Sequence, residues 1–298
     1  MTDSTAPADD VWTVQRILQW TTDFLKQKQV ESPRLEAELL LAHARSCPRI
    51  RLYTDLQTAL TDDERTRMRA FVKRRANREP LAYITGHKEF YGREFAVGQG
   101  VLIPRPETET LVDVCLEQLT DNQLAHVCEV GFGSGCVSIT LAKQRPRLKL
   151  TATDISSQAM EFAATNAKTH GVEARLKLLA GDGFEPFRGT ATVLFDGIVS
   201  NPPYVRKDEL AGLEPEVVQH EPPEALVSGE DGLLLTRRLI QEAVSLLKPG
   251  GWMILELDPA QCDTVAELFG AAGFFNTRIY KDLSGLNRIV RASLPQGN

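Results

Sequence analysis

Apolar residues in the first third of the chain recur at helical spacing. Val14, Ile17, Leu18 and Leu25 form one stripe, and Leu35, Leu39, Leu40 and Leu41 form a second after Ser32 and Pro33. Ser32 before Pro33 predicts a helix start, with Ser32 as N-cap and Pro33 at the first helical position. A third helix is predicted from Thr61, where Glu64 completes a capping box, through Met68, Phe71 and Val72 to the basic run Lys73, Arg74, Arg75. That run is expected to be a solvated helix end whose cations offset the helix dipole. Together these predict a small helical bundle over residues 1–82, expected to be a substrate-recognition domain.

From Tyr83 to Val101 the pattern changes to glycines and aromatics (Gly86, Phe90, Tyr91, Gly92, Phe95, Gly98, Gly100), which predicts a β-hairpin linker over residues 83–100. Beyond it, over residues 101–298, short β-rich runs alternate with helical ones. The runs are His126 to Val130, Leu148 to Thr153, Ala174 to Leu179, Val193 to Ser200 and Trp252 to Leu257, with helical patterns such as Ser157 to His170 and Leu233 to Leu247. Such alternation builds a parallel sheet with helices on both faces, so the class is α/β. The tail departs from this: Phe274 to Tyr280 and Asn287 to Ala292 are strand-like and joined through Asp282 to Gly285, a hairpin signal.

Composition narrows the class without deciding it. The 298 residues are 42% hydrophobic and 25% charged, as in an ordinary globular protein. A net charge of -6 argues against capture of duplex DNA by the whole molecule, and no sequence-specific nucleic-acid binding is expected. Five scattered cysteines, with no C-x-x-C pair, predict thiols in a reducing compartment. Met1 to Asp10 lacks the basic and apolar regions of a secretory signal, and no apolar run approaches the ~20 residues of a membrane span. A cytoplasmic location and no membrane partner are expected.

The first candidate chemistry is the loop Glu129, Val130, Gly131, Phe132, Gly133, Ser134, Gly135, which follows a strand and enters a helix. A dinucleotide fingerprint requires G-x-G-x-x-G. Counting from Gly131 puts Cys136 at the last position, and counting from Gly133 puts Ser138 there, so both registers fail. The next strand ends in Asp154, where a carboxylate can accept from both ribose hydroxyls. The third ends in Gly181, Asp182, Gly183 and Phe184; Asp182 is placed to accept from an adenine amino group, with Phe184 packing near the ring. Glu129 can hydrogen-bond its own loop or the amino end of a ligand. These features suit S-adenosyl-L-methionine, which carries a charged amino-acid tail.

The most specific motif is Asn201, Pro202, Pro203, Tyr204 at the end of the fourth strand. Successive prolines fix φ and supply no N-H. The Asn201 side-chain oxygen and the Pro202 carbonyl form a pair of acceptors for a planar NH2 group, and Tyr204 offers an aromatic wall. Such contacts favour the nitrogen lone pair leaving conjugation, so they strengthen toward the transition state.

With these motifs the chain resembles the release factor glutamine methyltransferases of the HemK/PrmC family over nearly its whole length. Further matching text runs from Pro80 to Gly86, Glu89 to Gly92, Val101 to Glu109, Glu221 to Leu226, Gly229 to Gly232 and Asp282 to Arg288. The resemblance implies a seven-stranded Rossmann-like methyltransferase domain behind a helical domain and hairpin linker. It implies S-adenosyl-L-methionine held by Glu129, Gly131, Phe132, Gly133, Ser134, Gly135, Asp154, Asp182, Gly183 and Asn201. The substrate implied is the glutamine of a Gly-Gly-Gln motif in class I peptide chain release factors. Asn201, Pro202, Pro203 and Tyr204 would receive its amide, with Arg105 and Glu107 at the mouth of the site. Three positions depart from the family pattern: Phe132 replaces a small or hydroxylated residue, Glu129 replaces Asp, and Asp258 replaces Gly between Glu256 and Gln261. Three alternatives share part of the pattern: an amino-methyltransferase acting on adenine or cytosine in nucleic acid, a methyltransferase of a ribosomal-protein glutamine, and a non-catalytic binder of the cofactor. Pro104, Arg105, Pro106, Glu107, Thr108 and Glu109 favour release factors over the ribosomal substrate, whose enzymes tend to read Pro-Arg-Ser-Pro-x-x-Glu.

Overall fold

The computed structural model describes residues 11–189 and 194–297. Met1 to Asp10 and Val193, which entered the sequence reading, lie outside these. The chain divides into two compact units, one ending at Thr85 and the other beginning at Gly86.

The first unit consists of α1 (Val14–Gln27), α2 (Pro33–Ala44), α3 (Ile50–Thr54), α4 (Asp62–Ala76) and α5 (Leu81–Thr85). The first apolar stripe and the end of the second meet: Val14, Leu18, Leu25, Leu40, Leu41, Leu52, Met68 and Val72 form its core, whereas Leu35, expected in the second stripe, is exposed on the outer side of α2. Thr61 and Glu64 form the reciprocal capping box, at 3.2 Å and 2.8 Å. Ser32 stands at the N-cap of α2, but its hydroxyl makes no capping bond. The basic run also differs from expectation. Arg75 is only 5% exposed, and its guanidinium pairs with Glu36 of α2; Arg74 pairs with Glu79. An acidic partner across the bundle draws Arg75 inward, where an isolated helix end would leave it in water.

The second unit opens with a hairpin, β1 (His87–Phe90) and β2 (Arg93–Ala96), shorter than the glycine-rich segment suggests. Tyr91 and Gly92 at its turn both have positive φ, 52° and 68°, the pattern of a type I′ turn whose twist matches the strands. Tyr91 is bulky for that region, and α6 (Thr108–Glu117) holds it. Glu109 accepts from the Tyr91 N-H at 2.7 Å, and Asp113 accepts from its hydroxyl at 2.7 Å.

The sheet follows with β3 (His126–Val130), α7 (Cys136–Gln144), β4 (Lys149–Asp154), α8 (Ser157–Thr169), β5 (Leu176–Ala180) and β6 (Phe195–Ser200). After β6 come α9 (Pro215–His220), α10 (Leu234–Ala243), β7 (Leu247–Glu256), α11 (Cys262–Ala271), β8 (Phe275–Lys281) and β9 (Asn287–Ser293). The strand order is β5, β4, β3, β6, β7, β9, β8. The first five are parallel, while β9 inserts antiparallel between β7 and β8. β7 starts five residues earlier than its apolar run because Lys248, Pro249, Gly250 and Gly251, turn-like in composition, continue the strand beyond a register shift opposite β6.

Side chains alternate across the sheet with the period of two that a doubly covered sheet demands. Val127, Val199, Trp252 and Ile254 face a core shared with α6, α7 and α8, whereas Cys128, Ile198, Met253 and Leu255 face α10 and α11. Phe90 and Phe95 of the hairpin belong to the first of these cores, so the hairpin is a structural part of the second unit. Gly197 in β6 is required by packing: a Cβ there would sit 2.2 Å from the Trp252 ring.

Candidate active site

Strands β4 and β6 lie on opposite sides of β3, so the chain reverses its winding there. The carboxyl ends of these strands open a crevice, where open α/β sheets place their ligands. A cavity of about 950 Å³, counting its open mouth, occupies this place. Glu129, Gly131, Phe132, Gly133, Ser134, Asp154, Asp182, Gly183, Asn201, Pro203 and Arg105 line it. Gly135, Pro202, Tyr204 and Glu107 do not.

The glycine loop is stitched to β4: the Thr153 carbonyl accepts from the N-H groups of Gly131 and Phe132, and Asp154 accepts from Gly133 N-H at 2.8 Å. Gly131 has φ of 75°, and a Cβ there would meet nothing nearer than the Asn201 carbonyl at 4.0 Å. The loop therefore leaves open a space that a side chain would fill. Gly135 has a different role. At φ of 79° it caps α7, and a Cβ would press on Ile139 at 3.0 Å and Ala163 at 3.3 Å, so close helix packing demands this glycine. Phe132 is buried, its side chain belonging to the core shared with α6 to α8; its bulk is accommodated there. Asn166 of α8 secures the loop from outside, with its amide nitrogen donating to the Ser134 carbonyl at 2.8 Å. The same amide exchanges bonds with both backbone groups of Ala96 in the hairpin.

Three carboxylates face this end of the cavity in different electrostatic states. Glu129, 3% exposed, accepts from the Ser138 N-H at 3.0 Å and from the Ser138 hydroxyl. Burial, aided by nearby Asp154, still raises its pKa to about 8. Asp154 is also raised by burial, although the N-H groups of Ser156 and Gly133 partly offset this. Asp182 is lowered, because Arg238 of α10 grips both of its oxygens. This ion pair is absent from the sequence reading, in which Asp182 faces adenine alone. Phe184 likewise turns into the core with Leu239 and Phe195.

At the other end, β6 delivers Asn201. Its amide nitrogen donates to the Thr108 hydroxyl at 3.3 Å, at the start of α6. Glu256 at the end of β7 is a carboxyl group 1% exposed, with no partner for its Oε2, and burial pushes it up to about 7. Tyr204 is largely buried, with its hydroxyl pushed up to about 12, and its carbonyl accepts from Gln261 at 2.9 Å. Glycine is required opposite: a Cβ at Gly232 would lie 2.2 Å from that carbonyl. Buried Glu221 accepts from Arg105, which lines the cavity, at 2.6 Å and from the Ile103 N-H at 3.3 Å. Glu107 precedes α6 and contributes repulsion to Glu256. Asp258 makes its turn at an ordinary φ of −63° and caps the following turn by accepting from Ala260 N-H at 2.9 Å. Thr108, Glu221, Arg238 and Gln261 carry contacts that the motifs alone did not assign.

A seven-stranded sheet with this order, an antiparallel β9 and a glycine loop after its first strand defines a Rossmann-like, S-adenosyl-L-methionine-dependent methyltransferase. A solved methyltransferase from Pyrococcus furiosus shares the fold with a TM-score of 0.51 at 18% identity, over 70% of this chain and 92% of that one. Residues 16–86 match the family model of the PrmC N-terminal domain, and residues 108–229 that of the methyltransferase small domain. The release factor glutamine methyltransferase of Rhodopirellula baltica is 41% identical over 95% of this chain and 96% of its own length. That of Geobacter sulfurreducens is 41% identical over 94% and 96%. The chain belongs to the release factor glutamine methyltransferase family. Among the described residues, no helix is long and apolar enough to cross a membrane.

Proposed function

We propose that this protein transfers a methyl group from S-adenosyl-L-methionine to the side-chain amide nitrogen of glutamine in the Gly-Gly-Gln motif of class I peptide chain release factors. One observation carries the reading: Asn201, the intended amide acceptor, lines the same cavity as the glycine loop, Glu129 and Asp154. The donor set fits the cofactor. Gly131 and Gly133 leave room above the loop, Asp154 has lone pairs left for ribose hydroxyls, and buried Glu129 matches an ammonium group that would relieve its desolvation. Ser134, Asp182 and Gly183 complete this half, with Phe132 and Gly135 shaping the loop from below. When bound, the cofactor supplies an electrophilic methyl on a sulfonium sulfur.

The residues of this chain then have a positioning task. Asn201, which lines the cavity, accepts from the glutamine amide, Pro202 and Pro203 stiffen the turn that carries it, and Tyr204 backs that turn. Arg105 and Glu107 frame the entry. Alignment of this kind supplies up to ~7–11 kcal/mol and one oriented polar contact about 3 kcal/mol. No residue needs to remove a proton before attack, because the neutral amide nitrogen is the nucleophile and loses its proton afterwards to water. The helical unit docks the release factor in this reading, and the reaction belongs in the cytoplasm, where its substrates are. Mass spectrometry of purified class I release factors, incubated with the protein and S-adenosyl-L-methionine, tests the proposal. A gain of one methyl on the Gly-Gly-Gln glutamine supports it; an unmodified glutamine refutes it.

A further inference from the structure

Among the described residues that line the cavity, Arg105 is the only one with a cationic side chain, whereas Glu129, Asp154, Asp182 and Glu224 supply carboxylates. The segment that carries it is tied down at both ends. The Gly100 carbonyl accepts from the Ser156 hydroxyl at 3.4 Å, and Glu221 accepts from the Ile103 N-H at 3.3 Å and from Arg105 at 2.6 Å. Between these ties Val101 lies over the glycine loop, 4.0 Å from where a Cβ on Gly133 would stand. Beyond them the Arg105 carbonyl accepts from the Thr108 N-H at 3.1 Å, and the Thr108 hydroxyl accepts from Asn201. The segment therefore runs from the glycine loop to the neighbour of Asn201.

In the ion pair the Glu221 side chain is 1% exposed and that of Arg105 is 32% exposed, so the carboxylate is the buried member and the guanidinium keeps an open side. A guanidinium is a planar fork of five N-H donors. Among the described residues, one donor is spent on Glu221 and the other four are left for a ligand. Charge decides which ligand group they suit. A Gly-Gly-Gln segment is neutral, whereas the amino-acid tail of the cofactor ends in an ammonium and a carboxylate. Glu129 answers the ammonium, and Asp182 is already gripped by Arg238. We propose that Arg105, aimed by buried Glu221, binds the α-carboxylate of S-adenosyl-L-methionine. This rests on the reading of the cavity as the cofactor site. The fork of N-H groups matches the two oxygens of a carboxylate, and a tail that meets a fixed charge of opposite sign at each of its two ionic groups is held in one orientation.

The test is calorimetric titration of the full-length protein with two ligands, S-adenosyl-L-methionine and its decarboxylated analogue, which lacks only the carboxylate. Wild type is expected to bind the first about tenfold or more tighter than the second. Arg105→Gln should weaken S-adenosyl-L-methionine about ten- to hundredfold while leaving the analogue within about threefold of its wild-type affinity. Arg105→Lys, which keeps a positive charge but not the fork, should retain part of the discrimination. In Arg105→Gln, a loss of equal size for both ligands, or no loss for either, would overturn the inference. A raised KM for the release factor with cofactor affinity unchanged would also overturn it and give Arg105 to the protein substrate. If Arg105→Gln fails to fold because Glu221 is left buried without its cation, the double variant with Glu221→Gln, neutral at both positions, is read by the same ratio. Wild-type protein that binds neither ligand would instead refute the cofactor site itself, so the two failures are distinguishable.

Discussion

Glu129→Gln separates a binding residue from a structural one, because its effects on stability and on cofactor affinity should have opposite signs. The carboxyl group is buried, and its pKa rises from 4.5 to about 8. A shift of that size corresponds to about 5 kcal/mol of disfavoured ionisation. Since the folded-state value is raised, the folded protein holds a proton that the unfolded chain has lost between these two values. Stability therefore falls as pH climbs through that window, and the penalty is complete only above pH 8. Glutamine has the same shape and can still accept from Ser138, but its NH2 group lacks an assured partner, so the expected net gain is about 1–2 kcal/mol. For a unit of this size that is a rise of about 2–8 °C in Tm at pH 8.5. At pH 5.5, where Glu129 is already neutral, Tm should not rise. Cofactor affinity should move the other way, weakening about ten- to hundredfold as a charge-assisted contact to the ammonium group is lost. Thermal unfolding with and without S-adenosyl-L-methionine at both pH values, with calorimetric titration at pH 7.5, gives both signs. A lowered Tm at both pH values together with unchanged affinity would refute the reasoning, and Glu129 would then be a structural partner of Ser138 alone.

Three further outcomes are expected. Asn201→Ala should abolish most methyl transfer to a release factor while leaving calorimetric cofactor affinity nearly intact; radiolabel incorporation near the wild-type rate would contradict its role. Asp154→Ala should weaken cofactor binding, because it removes both the ribose acceptor and the side chain that holds the N-H groups of Gly133 and Ser156; unchanged affinity would remove the assignment. Gly197→Ala should destabilise the sheet by about 3 kcal/mol or more in urea titration, because its Cβ would overlap the Trp252 ring; wild-type stability would show that the ring yields freely.

Local chemistry made much of this molecule readable in one dimension. The Thr61 and Glu64 capping box, the apolar stripes of α1 and α2, and the alternation of strand and helix all act over a few residues, and their patterns match the elements found. The glycine loop and Asn201 were conspicuous because each departs from ordinary strand or helix text, and the fold brings them to one cavity. What escaped notice was pairing across sequence distance. The expectation that Arg75 is solvated fails because Glu36 lies on another helix. The partner of Asp182 is Arg238 from α10, 56 residues away, and Arg105 finds Glu221 only 116 residues later. Thr108 reads as an ordinary helix-start residue; only folding places it beside Asn201, 93 residues away. Phe184 followed a ligand-like Asp, yet its neighbours in space are apolar and it joins them.

The side-chain amide of Asn166 has one foot in each of two segments that the chain keeps well apart, clamping Ala96 and Ser134 together. Chimeras that exchange the leading hundred residues between relatives would carry half of this clasp and leave the other half behind. Such grafts should transplant position 166 along with the exchanged piece, or the glycine-rich turn loses its bracket even though every residue of that turn is kept.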